Sequence, residues 1–328
     1  MNATATTSLS AVRRAAELGE LAAGEVVDVL VIGLGVTGAG VALDAATRGL
    51  RVVAVDAHDL AFGTSRWSSK LVHGGLRYLA SGQAGVAHEC AVERGVLMCR
   101  TAPHLARALP FVLPLTPAVP RRHEPLLRSG YFAGDLLRIS ARTSRDLLPR
   151  PRRLSAVETL RWAPALRPDG LRGGLLSWDG QLTDDARLVV ALARTAAGHG
   201  ARILTRCRAE QVSGSGAVVV DELSGDRLAI RARAVVNATG VWAGQLVGGV
   251  HLRPSRGTHI VLREDSIGGG LGAGLQLPVP AERGRFVLVL PQGDGRVIIG
   301  PTDEPLDGPI PDVPEPTEDE IRFLLDVL

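Results

Sequence analysis

Two stretches of this 328-residue sequence combine residue types that could do chemistry. The first is a glycine turn, in which Gly33, Gly35 and Gly38 have the spacing G-x-G-x-x-G. Glycines at this spacing permit a tight turn, a close approach of bare backbone to a diphosphate, and close packing of a helix on a strand. The second is the run 63–79, GTSRWSSKLVHGGLRYL, which is rich in hydroxyl, basic and glycine residues. Together they predict a nucleotide site with a polar segment beside it.

The elements around the glycine turn follow the order of a βαβ unit. Residues 28–32 are an apolar run typical of a buried parallel strand, a helix is predicted over 36–47, and 51–55 form a second strand. The N-terminus of that helix favours a phosphate, because its unpaired N–H groups and dipole attract negative charge. Asp56 ends the second strand, 18 residues beyond Gly38, where a carboxylate accepts hydrogen bonds from ribose hydroxyls.

This context predicts an adenine dinucleotide site, with a plain βαβ unit as the alternative. The acid at position 56 disfavours NADP, because an acid there would repel a 2′-phosphate. The segment alone does not separate FAD from NAD. A second strand-to-glycine junction, at Thr239 and Gly240, again brings bare backbone to the end of an apolar strand, and this favours FAD.

Lys70 is conspicuous because it is the only lysine among 37 basic residues. An ammonium group on a flexible stem differs chemically from the planar guanidinium used everywhere else in the chain. Lys70 is therefore predicted to have a role that arginine cannot fill, and the alternative is a stray lysine without function.

The run 63–79, together with VIGLGVTGAGVALDAATRGL at 31–50, resembles the FAD-dependent glycerol-3-phosphate dehydrogenases. The string SSKLVHGGLRYL is the most specific part of the resemblance. One departure is Leu34, which stands where many members of the family have a further glycine. Other similar segments are DGQLTDDARLVVALARTAAGHGARILTR at 179–206, VVNATGVWA at 235–243, RGTHIVL at 256–262 and VIIGPTDEP at 297–305.

The resemblance implies both a fold class and an activity. The fold is α/β, with a Rossmann-like FAD-binding domain of the glutathione-reductase type, as in glycine oxidase, and an inserted antiparallel-sheet substrate domain. The activity is oxidation of sn-glycerol 3-phosphate to dihydroxyacetone phosphate by hydride transfer to FAD, with electrons passed to quinone at the membrane surface. Two alternatives are another FAD-dependent amine or hydroxy-acid oxidase of the same fold, and a non-catalytic remnant.

The resemblance also assigns roles to individual residues. Arg77 and Tyr78 are expected to line the substrate pocket, with Arg77 neutralising the phosphate dianion. Lys70 is expected near the N1–C2 carbonyl of the flavin, where a cation stabilises the reduced ring. His73 is expected beside the ring or the substrate, and His259 is either at the active site or purely structural. The predicted catalytic residues are thus Lys70, His73, Arg77, Tyr78 and His259.

The predicted cofactor-binding residues fall along the whole of the resemblance. The backbone near Arg208 and Ala209 is expected to hydrogen-bond adenine. The full set is Gly33, Gly35, Gly38, Asp56, Thr64, Ser65, Ser69, Lys70, Leu71, His73, Gly74, Gly75, Ala209, Thr239 and Gly240.

The length of the chain allows a large core and two domains. Locally, the pattern predicts a strand over 171–178 with a turn at Asp179-Gly180. It also predicts a strand over 111–115, which Pro110 and Pro114 limit to an edge position or an extended segment. The predicted segments are a helical N-terminal extension at 1–25, the FAD-binding domain at 26–100 and 176–250, a basic substrate- or membrane-facing insertion at 101–175, and an incomplete substrate domain at 251–328.

The basic insertion contains an unusual helix. Residues 100–153 hold eleven arginines against three acids, around an apolar helix predicted over 124–139. A basic helix with an apolar face is typical of a membrane-surface element, and the alternative is a helix whose apolar stripe faces the core. Delivery of electrons to quinone, as the resemblance implies, favours the membrane surface.

Composition restricts the class of protein further. A net charge of +3 and a pI near 9.1 are not a nucleic-acid signature, so no nucleic-acid partner is predicted. Three cysteines without C-x-x-C spacing indicate buried thiols in a reducing compartment, and no metal site is predicted. No signal-peptide core and no run of about 18 apolar residues occurs, which predicts a cytoplasmic protein. Peripheral attachment to the inner face of the plasma membrane is left open. A homodimer is left open.

The last residues predict a helix that has no stop signal. Thr317-x-x-Glu320 is a capping box, and an apolar stripe continues from it to Leu328. The resemblance implies further segments beyond this point, including one that returns to the flavin. The chain is therefore expected to be an N-terminal portion of a longer protein.

Overall fold

The computed structural model describes residues 7–279, 282 and 285–328. Its helices are connected by strands, loops, 3-10 turns and a π-helical segment at Leu97–Thr101. They are α1 (Ala11–Ala22), α2 (Val36–Thr47), α3 (Leu76–Ala80), α4 (Ala84–Val96), α5 (Glu124–Ser140), α6 (Ala156–Trp162), α7 (Asp185–Gly198), α8 (Ala243–Leu246) and α9 (Glu318–Val327).

The strands form two large sheets and one two-stranded ladder. They are β1 (Val26–Ile32), β2 (Val52–Val55), β3 (Leu71–Val72), β4 (Ala106–Pro114), β5 (Arg152–Leu154), β6 (Gly174–Leu182), β7 (Arg202–Leu204), β8 (Cys207–Ser213), β9 (Gly216–Asp221), β10 (Arg227–Asn237), β11 (Ser255–Arg256), β12 (Ile260–Arg263), β13 (Gly274–Pro278), β14 (Phe286–Pro291), β15 (Arg296–Gly300) and β16 (Glu304–Pro305).

The described residues cluster into two compact units. Unit 1 contains the residues up to Ser68 together with 184–254 and 306–313. Its sheet has the order β7-β2-β1-β10-β9-β8, in which the first four strands are parallel and the last two are antiparallel. This is the βαβ sheet that the glycine turn predicts, extended by a hairpin.

Small side chains bring two helices onto one face of the unit 1 sheet. Ala42 on α2 and Ala193 on α7 are fully buried with Val31 on β1 in a single apolar cluster. Because alanine adds little bulk, each helix lies close to the strands. The end of β1 and the start of α2 are thereby held in place, and the glycine turn lies between them.

Unit 2 contains residues 69–183, 255–305 and 314–328, where described. Its main sheet has the order β12-β15-β14-β13-β4-β6-β3, and β5 pairs with β6 outside that path. All of its pairings are antiparallel except the short parallel contact of β13 with β4. The predicted antiparallel substrate sheet is therefore present.

The predicted turn at Asp179-Gly180 is wrong. Both residues lie inside β6, where Asp179 pairs with Leu109 and Gly180 with Val72 and Ala108. The glycine is needed for packing, because a Cβ at Gly180 would lie 2.8 Å from the Val72 carbonyl oxygen and 3.1 Å from the Met98 sulfur. Close approach of neighbouring backbone decides this position, and local turn propensity does not.

The predicted edge position of the strand at 111–115 is also wrong. Strand β4 begins at Ala106 and lies between β13 and β6 in the sheet. Its prolines are tolerated because β13 pairs only with Phe111 and Val112, which lie between Pro110 and Pro114. The ladder on that side is therefore too short to need the N–H groups that proline lacks.

The unit boundaries differ from the predicted segments. The first FAD-binding segment was placed over 26–100, but residues 69–100 belong to unit 2 because β3 pairs with β6 and α4 packs in the same unit. The predicted extension at 1–25 has no separate unit either, since Leu21 of α1 is buried in the core of unit 1.

Candidate functional site

The glycine turn of unit 1 requires glycine at two of its three positions. Gly33 has a φ of +100°, and a Cβ there would lie 2.5 Å from the Ala238 carbonyl oxygen. A Cβ at Gly38 would lie 1.8 Å from the Gly33 carbonyl oxygen, so the first turn of α2 rests directly on the end of β1. The turn is packed backbone against backbone and presents the helix N-terminus without intervening side chains.

A hydroxyl group stands at that helix N-terminus. Gly35 is the N-cap of α2 and has no side chain with which to cap it. The Ser65 hydroxyl accepts the Val36 N–H at 2.9 Å, and it lies 3.0 Å from the position of a Cβ at Gly35. Ser65 and its neighbour Thr64 belong to a 3-10 turn at 64–66. Helix N–H groups with a hydroxyl donor suit a diphosphate, so the residues present fit this part of a dinucleotide.

Asp56 stabilises the same turn through two backbone hydrogen bonds. Its carboxylate accepts the Leu34 N–H at 2.7 Å and the His58 N–H at 2.8 Å. Burial raises the pKa of the Asp56 carboxyl, although these two hydrogen bonds act in the opposite direction. Each carboxylate oxygen keeps a further lone pair that can accept the predicted hydrogen bond from a ribose hydroxyl.

The second strand-to-glycine junction lies beside the glycine turn. The Ala238 N–H donates to the Ile32 carbonyl at 2.8 Å, which continues the pairing of β10 with β1. Thr239 is held by Asn237, whose side-chain oxygen accepts both its N–H at 3.2 Å and its hydroxyl at 2.7 Å. Gly240 has a φ of +59°. Ala209 lies on β8, the outer strand of the hairpin, paired with Val219.

In unit 2 the SSK string holds its second serine against a histidine. The Ser69 hydroxyl lies 2.8 Å from Nε2 of His259. Lys70 follows with a φ of +55°, a left-handed conformation that is uncommon for a residue with a side chain. Its carbonyl accepts the Leu182 N–H at 2.7 Å, and Leu71 then starts β3. Strain at a residue that the sequence singled out is consistent with a functional position.

The HGG turn follows β3. The Gly75 N–H donates to Nδ1 of His73 at 3.3 Å, so the neutral imidazole carries its proton on Nε2. Gly75 has a φ of +76° and caps α3. A side chain would not fit at Gly74 or Gly75, because Cβ atoms there would lie 2.2 Å from Nη1 of Arg94 and 2.9 Å from Cα of Ala87.

Arg77 and Tyr78 lie in the first turn of α3. Arg77 is exposed, and its guanidinium carbon lies 5.7 Å from the centre of the Tyr78 ring. The His73 and Tyr78 rings are 6.1 Å apart. The histidine, the arginine and the tyrosine are thus grouped at one end of a short helix, a combination that suits an anionic phosphorylated ligand.

A buried carboxylate holds the segment that carries His259. Glu320 on α9 is 4 % exposed and accepts hydrogen bonds from the hydroxyls of Thr258 at 2.9 Å and Thr302 at 2.8 Å, and from Nε of Arg256 at 2.8 Å. The Thr258 N–H donates in turn to the Thr302 hydroxyl at 2.8 Å. His259 therefore follows a residue that is fixed on both its backbone and its side chain.

Sequence reasoning identified the residues of the motifs but missed those that support them. Arg94, which lies against Gly74, and Arg256, which donates to Glu320, were not predicted as part of the site. The two successive glycines of the HGG motif indicate that some residue packs closely against the turn. They do not indicate that this residue is Arg94. Glu320 was recognised only as a capping residue, and the capping box with Thr317 is confirmed.

Comparison with known proteins identifies the class to which this fold and these glycine turns belong. Residues 28–328 match the family described as FAD dependent oxidoreductase, and the chain belongs to that family. The predictions of the fold class and of FAD as the cofactor are confirmed by this membership and by the structural neighbours below.

Particular relatives are named after one activity. The chain is 55 % identical over 321 residues to glycerol-3-phosphate dehydrogenase 1 of Mycobacterium tuberculosis, covering 98 % of this chain and 62 % of that protein. The structure of glycerol-3-phosphate dehydrogenase from Bacillus halodurans, complexed with FAD, is 26 % identical with a TM-score of 0.70, covering 96 % of this chain and 54 % of that one. These names confirm the resemblance seen in the sequence.

A more distant structure shows the fold alone. Glycine oxidase from Bacillus cereus is 19 % identical with a TM-score of 0.64, covering 92 % of this chain and 76 % of that one. The chain spans about 62 % of the length of its Mycobacterium tuberculosis relative.

Proposed function

We propose that the chain takes part in the FAD-dependent oxidation of sn-glycerol 3-phosphate to dihydroxyacetone phosphate. The observation that carries the proposal is the exposed Arg77 beside Tyr78 and His73, in the segment that carries the resemblance to the glycerol-3-phosphate dehydrogenases. The 55 % identity to a relative of that name supports it.

Each residue has a chemical task in this proposal. Gly33, Gly35 and Gly38 admit the diphosphate of FAD, and Asp56 binds the ribose. Bound FAD would supply the hydride acceptor, and the protein supplies position and charge. In unit 2, Arg77 binds the substrate phosphate through its guanidinium fork.

His73 and His259 of unit 2 are assigned to the transfer of the proton from the substrate hydroxyl. His73, with Nδ1 occupied by the Gly75 N–H, offers Nε2–H as a donor. His259 and Ser69 share one hydrogen bond, which makes this pair the candidate acceptor of the proton from the substrate hydroxyl.

The purified chain, supplied with FAD, tests the reaction directly. Anaerobic bleaching of the flavin by glycerol 3-phosphate supports the proposal. Bleaching only by an amine or a hydroxy acid indicates another oxidase of the same fold. A protein that binds FAD but is bleached by none of these has no such activity in this chain.

Arg77→Ala should raise the KM for glycerol 3-phosphate. Loss of a charge-assisted hydrogen bond to the phosphate costs about 1.5–3 kcal/mol, which corresponds to roughly a 10- to 100-fold rise. Steady-state kinetics with an artificial electron acceptor measure it.

Arg161→Ala is the matched control for this variant. Arg161 is also an exposed arginine of a short helix in unit 2, but it lies outside the motif. Its KM should equal that of the unchanged chain. An unchanged KM in Arg77→Ala would remove the phosphate role from Arg77.

We further propose that α5 rests on an anionic membrane surface, where quinone is the electron acceptor. One side of α5 faces the core, where Leu127 and Tyr131 pack on buried leucines and Asp135 and Arg138 form a buried ion pair with Nε–Oδ1 of 2.7 Å. Four other large apolar side chains of the helix face outward: Leu126, Phe132, Leu136 and Ile139, which are 72 %, 62 %, 51 % and 47 % exposed.

The charge around this exposed face complements anionic lipid. Exposed arginines precede, interrupt and follow the helix, at positions 121, 122, 128, 142 and 145. An apolar helix face between basic residues is the composition of an interfacial helix. In the described part of the chain, no helix is both long and apolar enough to cross a membrane.

Replacing Phe132 and Leu136 together by serine should release the chain from vesicles. Removing two large apolar groups from the lipid contact should weaken binding by roughly 10- to 100-fold, at about 1–3 kcal/mol for the pair. Co-sedimentation with vesicles containing phosphatidylglycerol measures the effect.

Val157→Ser provides the control for vesicle binding, since Val157 is 62 % exposed on α6, a different helix. It should sediment like the unchanged chain. Retention of the double variant on the vesicles, with its melting temperature unchanged, would refute the role of α5.

A further inference from the structure

The HGG turn is attached to the sheet by one carboxylate. Strand β3 is only two residues long, and its ladder with β6 ends at the pair Val72–Gly180. Beyond that pair, the Gly74 N–H donates to the side chain of Asp179, at 3.1 Å to Oδ1 and 3.3 Å to Oδ2. The Asp179 carboxylate thus accepts the Gly74 N–H where the ladder no longer offers a backbone carbonyl of β6.

A buried arginine fixes that carboxylate from the other side. Nη1 of Arg94 donates to Oδ1 of Asp179 at 2.6 Å, and Arg94 is 6 % exposed. The same guanidinium lies against Gly74, where a Cβ would be 2.2–2.7 Å from its terminal atoms. The peptide of Gly74 is thus held between Asp179, which accepts its N–H, and Arg94, which covers its face.

The position of Gly74 affects both the histidine that precedes it and the helix that follows it. On one side, the position of the turn lets the Gly75 N–H reach Nδ1 of His73 and so selects the Nε2–H tautomer. On the other side, Gly75 caps α3, whose first turn carries Arg77 and Tyr78. Both groups depend on where Gly74 is held.

We propose that Asp179 and Arg94 are positioning residues, which together fix the HGG turn and thereby the tautomer of His73 and the start of α3. The catalytic significance of this inference rests on the proposed function, but the geometric part does not. Neither residue is assigned a contact with substrate or flavin.

Nitrogen-15 NMR of the histidine side chains in this chain tests the tautomer. At a pH chosen so that the imidazole is neutral, the His73 signal, assigned by its loss in His73→Asn, should show a single tautomer protonated on Nε2. In Asp179→Asn, the Gly74 N–H keeps one acceptor but the ion pair with Arg94 is lost, so His73 should become a mixture of tautomers. Arg94→Lys keeps the charge without the planar group, and should lie between the two.

Glu93→Gln is the matched control, because Glu93 is exposed on α4 next to Arg94. Its His73 spectrum should be that of the unchanged chain. A folded Asp179→Asn whose His73 remains a single Nε2–H tautomer would overturn the proposal.

A second measurement needs no variant and so does not depend on folding of Asp179→Asn. The Gly74 amide of the unchanged chain should exchange with solvent at least roughly a hundredfold slower than an unstructured amide, because Asp179 accepts its hydrogen. Unprotected exchange would also overturn the proposal.

If the chain oxidises glycerol 3-phosphate, kcat provides a further test of the positioning role. Misplacement of the turn in Asp179→Asn should lower kcat by roughly 10- to 100-fold, with partial rescue in Asp179→Glu. Failure of the proposed function would remove this kinetic arm only. The tautomer and exchange results would remain decisive for the positioning role.

Discussion

Gly38→Ala should weaken FAD binding strongly and destabilise unit 1. A methyl group at this position would lie 1.8 Å from the carbonyl oxygen and 2.9 Å from the carbonyl carbon of Gly33. Both groups are backbone atoms, so α2 must move off the end of β1. Overpacking of this kind costs about 3 kcal/mol, and a displaced helix N-terminus should lose roughly a hundredfold or more in affinity for FAD.

Gly40→Ala is an unusually close control for this variant. Gly40 lies in the same helix, two residues further on, and a Cβ there would meet nothing within 4 Å. This variant should bind FAD normally and be stabilised by about 0.5–1 kcal/mol, since alanine favours a helix interior over glycine. Fluorescence titration with FAD and thermal melting measure both variants. FAD affinity of Gly38→Ala equal to that of Gly40→Ala would contradict the packing account.

Glu320→Gln should cause a large and pH-dependent loss of stability. Burial alone favours the protonated acid, but the hydrogen bonds from Thr317, Thr302 and Thr258 outweigh it and lower the pKa of Glu320 to about 2. An amide in this position cannot accept from all of these donors and leaves Arg256 without its charged partner. The expected cost near neutral pH is about 2–3 kcal/mol.

The sign of the pH dependence follows from the lowered pKa. Between the ordinary pKa of 4.5 and the folded value of about 2, the unfolded chain binds more protons than the folded chain. The stability contributed by Glu320 is therefore complete above the ordinary pKa and is lost as the pH falls toward about 2. The difference in melting temperature between the unchanged chain and Glu320→Gln should shrink over this interval.

Asp319→Asn controls for the loss of a negative charge at the start of α9. Its carboxylate is 89 % exposed and forms only a surface ion pair with Arg322, so about 0.5 kcal/mol or less is expected. A melting-temperature difference for Glu320→Gln that stays constant from neutral to acid pH would show that Glu320 is not held as a buried anion.

The parts of the fold that were predicted correctly are defined by residues close together in the sequence. The helix at 36–47 was predicted at its observed bounds because the glycine turn before it and the strand after it are adjacent in sequence. The capping box at Thr317 is local in the same sense. In each case the residues that define the structure lie within a few positions of one another.

The errors arise where a distant segment decides the conformation. Asp179-Gly180 has the sequence of a turn, but Val72 and Met98 pack so closely against Gly180 that the dipeptide continues a strand. Likewise, the partners of Glu320 lie 18 to 64 residues away, at Thr302, Thr258 and Arg256. No local pattern encodes such contacts, although the glycines at 74 and 75 do indicate that some neighbour approaches closely.

The most direct test of the central claim is titration of the purified chain with FAD. If the N-terminus of α2, positioned by the packing of Gly33 and Gly38, receives the diphosphate, the chain should bind FAD in equimolar amount and melt at a higher temperature when loaded. ADP should compete with FAD for this site. A folded chain that leaves FAD fluorescence unchanged, with no shift in melting temperature, would contradict the account.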